Sequence, residues 1–123
     1  MLRELSDVPR DAYLADFRLT ESAKYLLIVA TEAAIDICNH IVARLGAKAP
    51  HSYADCFVLL GELQIVSQGL ADKLQQMARF RNLLVHLYAD VDNSQVYNII
   101  QSDLGDLEAF RENIASWLAT AKL

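Results

Sequence analysis

The sequence predicts an all-α protein, a four- to five-helix up-and-down bundle. Hydrophobic residues make up 54% of the 123 residues, which allows a sizeable core and argues against disorder. Only four Gly and two Pro occur, too few for a turn-rich β-sandwich or barrel, and no run of Val, Ile or Thr alternates with polar residues. Long apolar segments with short polar links are typical of such bundles. We expect a single domain over residues 1–123.

The most apolar part of the chain predicts one long helix from about Thr20 to Leu45. Its apolar residues cover most of the helix circumference, so we expect it to be the central helix of the bundle. Gly46 follows directly and is suited to end this helix, because glycine adopts the left-handed conformation that often follows a last turn.

Three further helices are predicted from the remaining apolar patterns. Ser52 with Asp55 three residues on resembles a capping signal before the first of them, and Gly69 marks a break before the second. The first twenty residues contain at most a short helix. The predicted helices run from Tyr53 to about Val66, from about Leu70 through Tyr88, and from a cap at Asn93 or Ser94 to about Thr120, with the short one around Asp11 to Arg18.

Charge and targeting features bound the function. The net charge of −5 argues against a protein that coats DNA or RNA non-specifically, since such binding needs many phosphate contacts. The run "YLLIVATEAAIDIC" is broken by Glu32 and Asp36 and is too short to span a bilayer, and no signal-peptide pattern opens the chain. A soluble cytoplasmic protein is expected, with Cys38 and Cys56 as buried thiols in a reducing compartment.

The stretch "ARFRNLLVHLYADVD" contains the residues best suited to chemistry. At about 100° per residue, Asn82 and His86 lie on adjacent turns of one helix face, whereas Arg81 points about 140° away from His86 and lies about 7.5 Å from it along the axis. Val85 and Ala78 lie in the gap. One straight helix cannot aim both groups at one small ligand, so a second surface, such as a symmetric dimer, would have to close over this gap.

These residue types suit phosphodiester chemistry. Histidine transfers protons near neutral pH, and arginine binds two phosphate oxygens at once through its forked N–H groups. An asparagine one turn before the histidine could orient the imidazole. Arg81, Asn82 and His86 together are the minimum set for metal-free phosphodiester transfer, although such a spacing also arises by chance and a helix-end histidine can be a simple cap.

A polar patch of Asp36, Asn39 and His40 interrupts the apolar central helix, with Glu32 one turn earlier. In one interpretation it is a buried hydrogen-bond network, or Asp36 pairs with Arg81, because a buried carboxylate needs a partner. In the other, Asp36 fixes Arg81 functionally or lines the cleft. The three histidines lie on three different elements, so no zinc site is predicted.

The remaining aromatic and polar residues suggest no second site. Tyr53, Tyr97 and Trp117 are interpreted as core or interface residues rather than platforms for base stacking. His51 is expected to be exposed in a loop. The sequence contains no glycine-rich phosphate loop and no serine in a nucleophile-elbow motif.

The string "RNLLVHLY" resembles the Arg-x4-His-x-Tyr signature of HEPN-domain proteins of the DUF86 or HepT-like branch, and Asn82 matches the polar residue that follows the arginine in that family. "EAAIDICNHI" resembles the second helix of the same branch, and "VYNIIQSDLGDLEAF" resembles the last. The resemblance covers about residues 10–118. Family members usually have a longer N-terminal helix than "MLRELSDVPRDAYL" provides.

The resemblance implies a HEPN-like bundle that is the toxin of a toxin–antitoxin pair and a metal-independent endoribonuclease without a cofactor. Arg81 would stabilise the pentacoordinate phosphate, His86 would be the general acid or base, and Asn82 would support the site at a homodimer cleft. The partner would be a minimal nucleotidyltransferase antitoxin that adds AMP to Tyr88. The alternative is a non-catalytic helical partner that serves this nucleotidyltransferase as docking or AMP-acceptor subunit.

Overall fold

The fold was obtained as a computed structural model that describes residues 2–46 and 49–120. These residues form helices and connecting turns and no strand, so the all-α prediction is confirmed. The helices are α1 (Leu2–Ser6), α2 (Arg10–Ala15), α3 (Phe17–Arg44), α4 (Tyr53–Glu62), α5 (Gln68–His86) and α6 (Asn93–Thr120), with a 3-10 turn at Tyr88–Asp90 between the last two. The short helix α1 was not predicted.

Serine caps set the starts of α4 and α5. The Ser52 hydroxyl accepts a hydrogen bond from the Asp55 backbone N–H at 3.0 Å, so the predicted cap of α4 is confirmed. The Ser67 hydroxyl accepts one from the Leu70 N–H at 3.2 Å, which satisfies a free donor of the first turn of α5. Gly69 therefore lies inside that first turn, and the predicted break at this glycine was wrong.

The other long helices begin at aspartates. Asp92 caps α6, because its carboxylate accepts a hydrogen bond from the Ser94 N–H at 2.9 Å; the predicted caps, Asn93 and Ser94, lie within the helix instead. Asp16 separates α2 from α3 and caps the latter with its side chain. Gly46 has a φ of 65° just after α3, in agreement with the predicted end of that helix.

α3 is the central helix and packs against all five other helices. Its C-terminal half joins α4, α5 and the end of α6 in one hydrophobic cluster, in which the rings of Phe57 and Phe110 meet edge to face with centroids 5.9 Å apart. Its N-terminal half joins α1, α2 and the start of α6 in a second cluster. α5 contributes Ala78 to the first cluster and Leu84 to the second, so Arg81 lies where the two meet.

α3 is also the one helix among residues 2–46 and 49–120 that is long and apolar enough to cross a membrane, with a mean hydropathy of 1.6 over its best window. α3 is longer than the run "YLLIVATEAAIDIC" within it, and that run by itself is too short to span a bilayer. Central helices of soluble bundles share this length and composition. α3 contacts every other helix, and 39% of this window is buried.

Cys38 and Cys56 are completely buried, as predicted, but they are joined to each other as a disulfide. The prediction of two separate thiols was therefore wrong. The bond connects α3 to α4, with the two Cα atoms 6.2 Å apart. Sequence spacing could not reveal this pairing, since it depends on how closely α4 folds back onto α3.

Candidate active site

Arg81 lies on α5 with a side chain that is 17% exposed, and three hydrogen bonds hold its guanidinium. Its Nε and Nη2 donate to Glu32 Oε1 at 3.2 and 2.5 Å. Its Nη1 donates to Asn82 Oδ1 at 3.0 Å. The charged group is thus held in one orientation by α3 and by its own helix before any ligand binds.

The carboxylate that pairs with Arg81 belongs to Glu32, and the expected Asp36–Arg81 pairing was wrong. Glu32 lies one turn before Asp36 on α3, and the turn that contains Glu32 is the one opposite Arg81. Asp36 is exposed, so it has no need of a buried partner. It lines a pocket of about 240 Å³ beside the guanidinium, together with Asn39 and Tyr53. The second interpretation of the polar patch, in which Asp36 lines the cleft, stays a prediction.

Tyr53, at the start of α4, contributes to this pocket rather than to the core. Its side chain is 41% exposed, and the Arg81 guanidinium carbon lies 5.1 Å from the ring centroid, a cation–π distance. Of the two predicted positions for Tyr53, core or interface, the core position is excluded and the interface position stays a prediction. Tyr97 and Trp117 are half-buried against the core as predicted, and His51 is exposed.

His86 is the last residue of α5 and is exposed. Asn82 was expected to orient this imidazole, but within the described part of the chain its carbonyl oxygen accepts from Arg81 instead. The part of the α5 surface between Arg81 and His86 is only partly exposed. Val85 is 43% exposed there, whereas Ala78 is fully buried, because the middle of the helix is covered by its neighbours and its end is not.

Tyr88 follows His86 in the 3-10 turn and is attached to the first part of α3. Its hydroxyl donates to the Glu21 carbonyl at 3.1 Å, and its own carbonyl accepts from Lys24 Nζ at 3.1 Å. Burial raises the pKa of the Tyr88 phenol, and Glu21 acts in the same direction, so the hydroxyl is neutral at physiological pH. Lys24 does not stand out in the sequence, because its local signal is a single acidic residue, Glu21, one turn earlier.

The arrangement presents a fixed cation and a proton-transfer group from one helix. Among residues 2–46 and 49–120, no three His, Cys, Asp or Glu side chains lie where they could hold a metal ion together. A guanidinium such as that of Arg81 can bind an anion, and a histidine such as His86 can transfer protons near neutral pH; cleavage of a phosphodiester uses both functions.

Comparison with known proteins identifies the family. The sequence profile of a family described as "Ribonuclease HepT-like" matches residues 1–114. The chain belongs to the HepT-like ribonuclease family. It is 33% identical over 119 residues to a tRNA nuclease HepT of Aphanizomenon flos-aquae, covering 97% of this chain and 81% of that protein. It is 37% identical over 95 residues to an mRNA nuclease HepT of Shewanella oneidensis, covering 77% and 71%.

Solved structures of toxin–antitoxin proteins have the same fold as this chain. One, a crystal structure described as a toxin–antitoxin with AMP-PNP, matches with a TM-score of 0.85 at 30% identity, over 94% of this chain and 86% of that one. Another, described as a tri-AMPylated Shewanella oneidensis HEPN toxin in complex with MNT antitoxin, matches with a TM-score of 0.83 at 32% identity, over 94% and 88%. The predicted HEPN fold and ribonuclease class are thereby confirmed for this HepT-like chain.

Proposed function

We propose that the chain is a metal-independent endoribonuclease toxin whose active site combines Arg81 and His86 at the cleft of a homodimer. The observation that carries the proposal is how Arg81 is held. A guanidinium has five N–H groups, and the contacts to Glu32 and Asn82 use three of them. One N–H then remains on each terminal nitrogen, and two such groups of a guanidinium can bind phosphate oxygens together.

In the proposed reaction, the 2′-hydroxyl of RNA attacks the adjacent phosphorus. Its proton passes to a base as the new P–O2′ bond forms, and the P–O5′ bond breaks as the 5′-oxygen takes up a proton. His86 is the general acid or base for one of these transfers. Arg81 binds the phosphate oxygens that gain negative charge in the pentacoordinate state. The products are a 2′,3′-cyclic phosphate and a 5′-hydroxyl.

A homodimer is needed because the two groups diverge along α5. They point about 140° apart and are separated by a rise of about 7.5 Å. In the gap between Arg81 and His86, Val85 is 43% exposed in the isolated chain. Leu83 and Leu87, 41% and 48% exposed, point about 160° away from Val85. Exposed apolar side chains around a helix end are surface that a partner can cover. A second copy packed here would bring an additional surface to His86 and complete the cleft.

The proposed partner is a minimal nucleotidyltransferase antitoxin that transfers AMP to Tyr88, in the cytoplasm, where RNA and ATP are both present. The support is the match to the tri-AMPylated HEPN toxin in complex with MNT antitoxin. Tyr88 is half-buried and its hydroxyl donates to the Glu21 carbonyl. As the phenol oxygen bonds to the α-phosphorus of ATP, pyrophosphate leaves, and the hydroxyl proton that points to the Glu21 carbonyl has to pass to a base.

His86→Ala tests the catalytic proposal. Loss of a general acid or base lowers rates by about 10²- to 10⁴-fold, so we expect RNA cleavage in EDTA to fall by about a thousandfold. The variant should stay folded, because His86 is exposed at a helix end. The control is His51→Ala, which changes an exposed loop histidine. Full cleavage by His86→Ala would overturn the proposed mechanism.

A second candidate, the non-catalytic docking or AMP-acceptor subunit, is favoured by one observation. The Glu32 carboxylate forms an ion pair with Arg81 at 2.5 Å, which offsets the positive charge available to a phosphate. Under this alternative, the purified chain binds the nucleotidyltransferase and accepts AMP but leaves RNA intact, alone and with its partner. Cleavage that resists EDTA and requires His86 excludes it.

A further inference from the structure

Lys24 lies under the turn that directly follows His86, and we infer that it is a positioning residue for the ribonuclease site. It would hold this turn against α3 and thereby fix the place of the imidazole. The inference rests on the proposed function, because it concerns how His86 is kept in its catalytic position. Lys24 itself would touch neither RNA nor the reacting atoms.

The burial of Lys24 is the first observation that supports this role. Its side chain is only 3% exposed, although lysine is rarely buried completely. Three contacts balance the cost of removing the ammonium from water. The Glu21 carboxylate lies 3.1 Å from Nζ, the Tyr88 carbonyl lies 3.1 Å from it, and the Tyr88 ring centroid lies 4.8 Å from it. Two of these three contacts join α3 to Tyr88.

The end of α5 has few other means of attachment. Leu84 is buried there, but Leu83, Val85 and Leu87 are between 41% and 48% exposed. The last carbonyls of a helix also lack partners within the helix, and helix ends fray. Contacts of Tyr88 with α3 therefore replace the missing apolar packing.

Both polar ends of Tyr88 take part in this attachment. Its carbonyl accepts from Lys24, and its hydroxyl donates to the Glu21 carbonyl. Glu21 and Lys24 lie one turn apart on α3, so one stretch of the central helix holds the whole turn. Displacement of a catalytic group by about 1 Å can lower a rate by about a hundredfold. Loosening this turn should therefore reduce turnover more than RNA binding.

The experiment replaces Lys24 with methionine, which keeps an unbranched side chain and removes the ammonium. We expect kcat for RNA cleavage to fall by about ten- to a hundredfold, with KM changed by less than about twofold. Amide hydrogen exchange should accelerate at Leu87 and Asp90, whose N–H groups donate at 2.9 Å to the carbonyls of Leu83 and Leu87. The control is Lys73→Met, the same substitution at an exposed lysine, whose Nζ lies 3.7 Å from the Asp106 carboxylate.

Two further variants keep the inference testable. Lys24→Arg can still donate to the same oxygens and should recover most of the lost turnover. If Lys24→Met does not fold, Tyr88→Phe removes only the hydroxyl contact to Glu21 and should show a smaller loss of kcat with the same faster exchange. A folded Lys24→Met with unchanged exchange at Leu87 and Asp90 overturns the inference, as does unchanged kcat.

The inference and the proposed function fail in different ways. Cleavage that survives His86→Ala refutes the proposed mechanism, whatever happens at Lys24. Loss of cleavage in His86→Ala together with normal kcat in Lys24→Met refutes the positioning role alone. Should the chain leave RNA intact, the positioning role fails with the proposed function, while hydrogen exchange still shows whether Lys24 holds the turn.

Discussion

Arg81 and His86, the two residues of α5 proposed to be catalytic, are held in opposite ways, although they lie on the same helix. Arg81 sits where two hydrophobic clusters meet, is 17% exposed, and has three hydrogen bonds within its own chain. His86 is exposed at the helix end beside the exposed side chains of Val85 and Leu87. Its position is the one that we infer to be fixed by the turn that follows it.

The difference indicates which half of the site one chain can build alone. In the proposed site, the guanidinium is already oriented by Glu32 and Asn82 before RNA arrives, so one chain would build this half alone. The imidazole has apolar, uncovered surroundings, which suits a surface that a second copy covers. Perturbing the α5 end should therefore affect assembly and activity together, whereas perturbing the Arg81 contacts should affect activity alone.

Val85→Asp should produce the largest effect. A carboxylate placed in an apolar interface loses its hydration without gaining a partner, so we expect a monomer and a loss of RNA cleavage of about a thousandfold, as for removal of a catalytic acid or base. The fold should survive because Val85 is 43% exposed. Size-exclusion chromatography with light scattering and a cleavage assay measure the two consequences.

The matched control for this variant is Leu63→Asp, since Leu63 is 42% exposed at the end of α4. It should leave both assembly and cleavage unchanged. A monomeric Val85→Asp that cleaves RNA at the normal rate would show that His86 needs no second copy, and the contrast between the two halves of α5 would lose its functional meaning.

Much of this arrangement could be predicted from sequence because it depends on local periodicity. The helical wheel separates Arg81 from His86 by about 140°, and the structure keeps the first inside and the second exposed. The same wheel placed Ala78 beside Val85, yet only Val85 is exposed. A wheel gives direction around the helix but not where along its length neighbouring helices cross it.

Residues that meet across helices were beyond the reach of the sequence. Glu32 and Asp36 share one face of α3, and only the crossing point of α3 with α5 selects Glu32 as the partner of Arg81. The disulfide between Cys38 and Cys56 depends in the same way on the separation of α3 and α4. Spacing alone, without distances between helices, contains no information that would resolve either choice.

Reduction of the disulfide should have the next largest effect, and on stability. The bond closes a loop with a sequence separation of 18 residues, for which the chain-entropy model gives about 3 kcal/mol. We expect the free energy of unfolding, measured by urea denaturation, to fall by about this amount in dithiothreitol. The loss should loosen α4 and Tyr53 beside Arg81, while the turn at Tyr88 on the other cluster is retained.

The control for reduction is a variant with both cysteines changed to alanine, Cys38→Ala with Cys56→Ala, whose stability should not respond to dithiothreitol. Thiol alkylation of the unreduced protein in urea gives a second measurement. Two alkylated cysteines per chain would contradict the disulfide, and the stability of the Arg81 half would then have to come from apolar packing between α3 and α4 alone.

Glu32→Gln should have the smallest effect and tests whether the Arg81 half is self-contained. Glutamine keeps a carbonyl acceptor for the guanidinium but loses the charge that strengthens both hydrogen bonds. Loss of charge assistance of about 1.4 kcal/mol corresponds to a tenfold fall in kcat/KM, with the dimer unchanged. Glu62→Gln, at an exposed position at the end of α4, is the control.

A gain in activity would mean instead that Glu32 competes with the RNA phosphate for Arg81, since removing its negative charge would then favour anion binding. If Glu32→Gln lowers activity and leaves the dimer intact, while Val85→Asp is monomeric, then orienting the Arg81 cation and completing the cleft are two separate requirements for cleavage.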